Sequence, residues 1–178
     1  MRKIILYSAI SLNNRIAGPD GNVDWLDSVP NPEKTDYGYA EFYKSVDTTI
    51  QGYNTYKQLV GWGIEFPYKG KNNYIITHRK NLNNTNDVEF ISDNHIDFIR
   101  KLKKAEGGNI WLIGGGKVNT FLLNEGLVDE IRIFIMPVII PGGIELFEFK
   151  PDEKQCKLTT AKSYSSGVVE LRYLINEN

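Results

Sequence analysis

Apolar runs and amphipathic stretches alternate along the chain, and the spacing within each predicts an element. Lys3 to Ile10 is apolar at nearly every position after Lys3, the pattern of a strand covered on both faces. Asn13-Asn14 marks a turn, and Gly18-Pro19-Asp20-Gly21-Asn22 marks a longer loop. Asp36 to Ser45 predicts a helix, with Tyr39, Phe42, Tyr43 and Val46 recurring on one face. Thr48 to Gln51 predicts a short strand, Tyr53 to Leu59 a short helix, and Asn73 to Thr77 and Val88 to Ile91 two more strands. Asp93 is placed to cap a helix running to Lys104, with Ile96, Ile99 and Leu102 inward. Ile110 to Ile113 predicts a buried strand that runs straight into Gly114-Gly115-Gly116. A helix follows, with Val118, Phe121 and Leu122 on one face. Glu130 to Met136 predicts a strand, and Lys157 to Tyr164 with Val168 to Ile175 a hairpin around Ser165-Ser166-Gly167.

Strands that alternate with helices pair in parallel through crossovers. The expected fold is therefore α/β, a three-layer α/β/α domain with a mostly parallel mixed sheet and a C-terminal antiparallel hairpin. Ligands in such sheets bind beyond the carboxyl ends of the strands. The loops after Ile10, Gln51, Thr77 and Ile113 thus form a candidate site on one rim.

Composition narrows the chemistry. A length of 178 residues fits a single domain, 1–178, able to bury a core without a metal or disulfide staple. Lys and Arg number 21 against 22 Asp and Glu, a net charge of −1, which argues against nucleic acid and against an anionic membrane surface. The opening MRKIILYSAISLNN has too short an apolar stretch for a signal peptide and no small-x-small cleavage site, so it reads as the first strand. No run approaches the ~18 apolar residues of a membrane span. The single cysteine, Cys156, excludes a disulfide or a CxxC motif, and His78 and His95 are the only histidines. The expectation is a metal-free cytoplasmic protein.

Four segments can carry function. IWLIGGGKVNTFLL (110–123) ends a buried strand in three glycines and starts a helix at once. Glycine admits close backbone approach, and a helix N-terminus offers free N–H groups to a phosphate. Asn119 stands where a G-x-G-x-x-G fingerprint from Gly114 needs glycine, and Val118 follows Lys117 where a P-loop needs Ser or Thr. A tight turn without a ligand is the alternative. In TTIQGYNTY (48–56) Thr55 either caps a helix or gives its hydroxyl to a phosphate. In NYIITHRK (73–80) Thr77 and Arg79 suit a 2′-phosphate, or are a solvated strand end. The loop from Asn13 to Trp25 has the punctuation of a lid, and Trp25 either lines a substrate pocket or packs beneath the loop. Asp36 is either an acid or a helix cap. His95, Asp129 and Glu130 read as structural, and Cys156 lies in a polar stretch with no basic triad near it in sequence.

Taken in order, these segments resemble the dihydrofolate reductase-like superfamily. The nearer resemblance is to the reductase domain of bifunctional riboflavin biosynthesis proteins (the RibD C-terminal domain) and its stand-alone bacterial members. SLNNRIAG (11–18) matches the family's S-L-D-G-x-I-A. Asp24-Trp25, DYGYAEFYKSVDTTIQGYNTY (36–56), NYIITHR, IWLIGGG, GLVDEIRIFIMPVIIPGG (126–143) and Leu146-Phe147 follow in the family's order across nearly the whole chain. The resemblance implies NADPH across the carboxyl edge of the sheet. Gly114 and Gly115 match paired glycines, often joined by a cis peptide, near the nicotinamide and pyrophosphate, and Gly116, Lys117 and Val118 continue that turn. Gly52 and Thr55 match the G-R-x-T-Y phosphate turn, Thr77 and Arg79 the region of the 2′-phosphate, and Ile10 and Ala17 the backbone positions that bind the carboxamide. Asp36 falls at the pocket carboxylate, the implied proton donor. Tyr53 departs from the pattern, standing where the family has Arg.

The resemblance thus implies an NADPH-dependent reductase of a small heterocycle, most nearly of the 5-amino-6-(5-phosphoribosylamino)uracil reductase type. Dihydrofolate reduction and a non-catalytic nucleotide-binding role are the alternatives. No zinc deaminase domain is expected. A homodimer is, with the apolar run Phe134–Ile140 as a candidate interface.

Overall fold

A computed structural model describes residues 1–176. Strands β1 (Ile4–Ser11), β2 (Arg15–Ala17), β3 (Val46–Gly52), β4 (Asn72–Ile76), β5 (Glu89–Ile91), β6 (Asn109–Gly114), β7 (Glu130–Met136), β8 (Ile144–Glu145), β9 (Cys156–Ser163) and β10 (Val169–Ile175) make two sheets. The large sheet has the order β5-β4-β3-β6-β1-β7-β10-β9. From β5 to β7 all pairings are parallel, while β10 runs antiparallel to both β7 and β9. The expected architecture and the terminal hairpin are therefore present.

Helices α1 (Tyr39–Ser45), α2 (Tyr53–Gly61), α3 (His95–Lys104) and α4 (Gly116–Asn124) cover the two faces. The near-continuous apolar run of β1 explains why both are covered. Ile4, Leu6 and Ile10 pack with Ile50, Ile110 and Leu112 against Ile99 of α3 and Leu122 of α4. Ile5 and Trp111 face the other way, onto Phe42 of α1 and Leu59 of α2. Among the described residues no helix is long and apolar enough to cross a membrane.

Several expected boundaries move, each for a local reason. α1 starts at Tyr39 rather than Asp36, because Tyr37 and Gly38 adopt φ of 54° and 81° and break the helical path. Val46 is not on its face but opens β3. α3 starts at His95 rather than after an Asp93 cap, because Asn94 sits at φ 51° with no side-chain cap. β2 and β8, which pair antiparallel across more than a hundred residues, were not anticipated. The run Phe134–Ile140 is largely internal: Phe134, Met136 and Ile140 are buried, and Ile139 alone among its large apolar side chains is strongly exposed. Val168, Trp25 and Tyr37 cover this run from the α1 side, so it is a packed strand rather than an open interface.

Two buried cations pin the strand starts. The Arg2 guanidinium pairs with Asp47, donates to the Thr48 hydroxyl at 2.6 Å and to the Gly108 carbonyl at 2.6 Å, and so ties β1 to the entries of β3 and β6. Lys103 donates to the Leu127 carbonyl at 2.9 Å and pairs with Asp129 at 2.7 Å.

Candidate functional site

The parallel strands β3, β4 and β6 end on one rim, and a groove of about 1600 Å³ opens there. Two turns form its floor. β3 stays extended through Gly52 and α2 begins at Tyr53; β6 ends at Gly114 and α4 begins at Gly116. The turns abut. A Cβ on Gly52 would stand 3.0 Å from Val118 Cγ2, and one on Gly115 3.5 Å from the Thr55 hydroxyl. Gly114 takes φ 107°, where a side chain would be strained, and is joined to Gly115 by a cis peptide. Neither α2 nor α4 has a side chain capping its N-terminus. Both helices therefore present their first N–H groups and positive dipole ends at the groove.

The third wall follows β4. The Thr77 hydroxyl oxygen accepts the Arg79 N–H at 3.0 Å, which shapes the turn and leaves the hydroxyl proton free to donate. Arg79 lies over the Tyr53 ring, 4.7 Å from its centre. Arg79, Lys57, Lys117 and Lys150 line the groove, and among the described residues none has a carboxylate within 4.0 Å. Asp20 and Glu148 are the acids of the lining. The site is thus locally cationic in a chain of net charge −1.

The fourth wall comes from far along the chain. Residues 144–150 run along α4. Asn119 donates to the Leu146 carbonyl at 2.8 Å, Thr120 to the Glu148 carbonyl at 2.7 Å, and Asn124 to the Lys150 carbonyl at 3.2 Å. A Cβ on Gly116 would fall on the Glu145 carbonyl oxygen, so only glycine lets this strap close on the helix. Pro19, Asp20 and Gly21 also line the groove, and Gln58 of α2 donates to the Gly21 carbonyl, fastening the loop to the groove.

Eight expected residues meet in this lining: Gly52, Thr55, Thr77, Arg79, Gly115, Gly116, Lys117 and Val118. Gly114 lies just behind them, with an Asn119 amide oxygen 3.1 Å from where its Cβ would be. Ile10 and Ala17 are buried and do not line the groove. β1 pairs with β6 only from Ile4 to Leu6, so the Ile10 backbone lies where these two strands have parted.

Trp25 and Asp36 are not brought into the groove. Trp25 packs with Phe134, Met136, Tyr37 and Tyr164 in a cluster under the loop, the second of its two expected placements. Asp36 is exposed, and its carboxylate accepts the N–H groups of Ala40 and Gly38, each at 2.9 Å. Those two bonds hold its pKa below the ordinary 3.8. In this structure Asp36 thus caps the first turn of α1, the other of its two expected roles. In the same region burial raises the Tyr7 phenol. Burial and the bond to Glu170 push Tyr164 up to about 12.

His95, expected to be structural, lines the groove, as does His78 between Thr77 and Arg79. His95 Nε2 faces the carbonyls of Thr77 at 2.9 Å and Ile91 at 3.0 Å, which requires the proton on that nitrogen, and His78 stacks edge-on at 5.2 Å. Phe149, 74% exposed with φ 66°, also lies on the rim, 5.1 Å from Lys117 Nζ. His78 comes in with Thr77 and Arg79 at the end of β4, whereas nothing local marks His95 and Phe149, which enter the groove through contacts between distant segments.

Comparison with known proteins gives a family and a fold. The RibD C-terminal domain family matches residues 2–170. The uncharacterized protein YwjB of Bacillus subtilis is 35% identical over 173 residues, 97% of this chain and 98% of that one. A crystal structure of a protein ascribed to riboflavin biosynthesis from Shewanella sp. PV-4 superposes with a TM-score of 0.87 at 26% identity, covering 98% and 99% of the two chains. Dihydrofolate reductase from Enterococcus faecalis, complexed with NADP(H), superposes with a TM-score of 0.70 at 16% identity over 98% of this chain and 97% of that one.

Proposed function

The chain belongs to the RibD C-terminal domain family and has the dihydrofolate reductase-like fold, and from that premise we propose that it is one reductase domain that uses NADPH to reduce a small heterocycle. The reaction is of the 5-amino-6-(5-phosphoribosylamino)uracil reductase type. The observation that carries this reading is the meeting of the 52–55 and 115–118 turns, with unpaired Arg79, in one groove.

The residues present fit a phosphorylated dinucleotide. The uncapped starts of α2 and α4, with Lys117 and the Thr55 hydroxyl, suit a pyrophosphate. Thr77 and Arg79 suit a 2′-phosphate, which Arg binds through its planar fork. NADPH, when bound, supplies the hydride. The chain's own part is to bind, orient and exclude water, the last through the Gly21 loop latched by Gln58. With Asp36 outside the groove and holding two backbone N–H groups, the proton that completes the reduction comes from solvent.

Titration of NADPH against intrinsic fluorescence tests the cofactor, and NADPH oxidation with ribosylaminopyrimidine, dihydrofolate and related heterocycles tests the reaction. Saturable binding with turnover of one substrate is expected. Turnover of dihydrofolate instead would favour the alternative reading, a dihydrofolate reductase, whose fold this chain shares. Binding without turnover of any substrate would favour a non-catalytic nucleotide-binding protein. We further propose a homodimer in the cytoplasm; light scattering should return about twice the chain mass of 20.3 kDa.

A further inference from the structure

We infer that Tyr53 is a positioning residue for Arg79, holding its guanidinium ready for the phosphomonoester of NADPH. This rests on the proposed NADPH reading. In place of the arginine that the family pattern has at this position, the chain carries an aromatic ring at the head of α2. That ring is half-buried and braced, 6.3 Å from Tyr56 and 6.3 Å from Phe90. The Arg79 guanidinium lies 4.7 Å above it.

The chemistry of the contact favours an anion. A guanidinium over a ring face is held through its charge rather than by a hydrogen bond, so its N–H donors need not be spent on the contact and can serve a bidentate oxyanion. Arg79 spends none of them on a carboxylate within 4.0 Å among the described residues. Its backbone N–H is held by the Thr77 hydroxyl oxygen at 3.0 Å, which fixes where the side chain starts. An exposed arginine on a strand-end turn otherwise samples many rotamers, and ordering it on binding opposes affinity. Tyr53 removes part of that ordering in advance. A single arginine, held in place, then serves where the family pattern supplies a cation from α2.

The test is a double-mutant cycle read by equilibrium binding. Dissociation constants for NADPH and NADH are measured for the wild type, Tyr53→Phe, Tyr53→Leu, Arg79→Ala and Tyr53→Leu/Arg79→Ala, with circular dichroism to confirm each fold. Tyr53→Leu keeps apolar bulk and removes the ring, and should weaken NADPH roughly three- to fivefold, the worth of an exposed cation–π contact, with NADH changed less than about twofold. Tyr53→Phe should match the wild type. In the Arg79→Ala background Tyr53→Leu should have no further effect on NADPH. Equal weakening of NADPH and NADH would place the ring against the shared nucleotide and overturn the inference, as would a full effect of Tyr53→Leu without Arg79. A wild type that binds neither cofactor overturns the NADPH reading and this inference with it. NADPH binding with additive variants overturns this inference alone.

Discussion

Single residues in this protein show how one side-chain type takes opposite roles from its surroundings. Asp36 fits a pocket acid by register, but two backbone donors and full exposure turn it into a helix cap. Asp36→Asn should leave turnover within about twofold and Asp36→Ala should lower the melting temperature, because Asn caps nearly as well as Asp and Ala does not. A loss of turnover in the Asn variant comparable to that of a missing general acid, 10²-fold or more, would restore the catalytic role. Gly116 is constrained by contact rather than dihedral. Gly116→Ala drives a methyl into the Glu145 carbonyl and should destabilise the fold by roughly 1–3 kcal/mol, read by urea unfolding, and weaken NADPH as the strap lifts. Both glycine turns and Arg79 were legible in the sequence because a strand ending in glycine before a helix is a local signal. His95, Phe149 and the placement of Trp25 were not, since their surroundings are built from segments that the sequence does not juxtapose.

Elements with a strong period were the most legible. β7 falls at its expected bounds, and the hairpin strands and α4 within a few residues of theirs, because alternation or amphipathicity runs their whole length. β2 and β8, three and two residues long, are too short to carry a period and exist only because they pair with each other. Linkage between elements also has a pH signature. Burial opposes ionisation of Asp47, but the Gly108 N–H, the Thr48 hydroxyl and Arg2 outweigh it, so the pKa lies below 3.8. A carboxylate whose folded pKa is depressed stabilises the fold above its unfolded value and ceases to do so as pH falls through the folded one. Stability should therefore decline on acidification below about pH 4, and Asp47→Asn should flatten that limb while lowering stability at neutral pH. An unchanged acid limb in the variant would show that other carboxylates dominate it.

For the whole molecule, the parallel order of the sheet sets the site, since it brings the ends of β3, β4 and β6 to one rim however far apart they lie in sequence. The strap along α4 adds a consequence in time. When Asn124 emerges during synthesis, both glycine turns already exist as sequence, yet the wall made by residues 144–150 does not. β7 and the 137–143 segment must form before that wall can dock through Asn119, Thr120 and Asn124. Cofactor affinity should then appear late in refolding. After dilution from denaturant, energy transfer to bound NADPH should lag the recovery of far-ultraviolet ellipticity, and simultaneous recovery would show that the two turns suffice. On a ribosome, such a groove would stay closed to its ligand until residues 144–150 had been made, so binding would mark a chain that had grown past the strap.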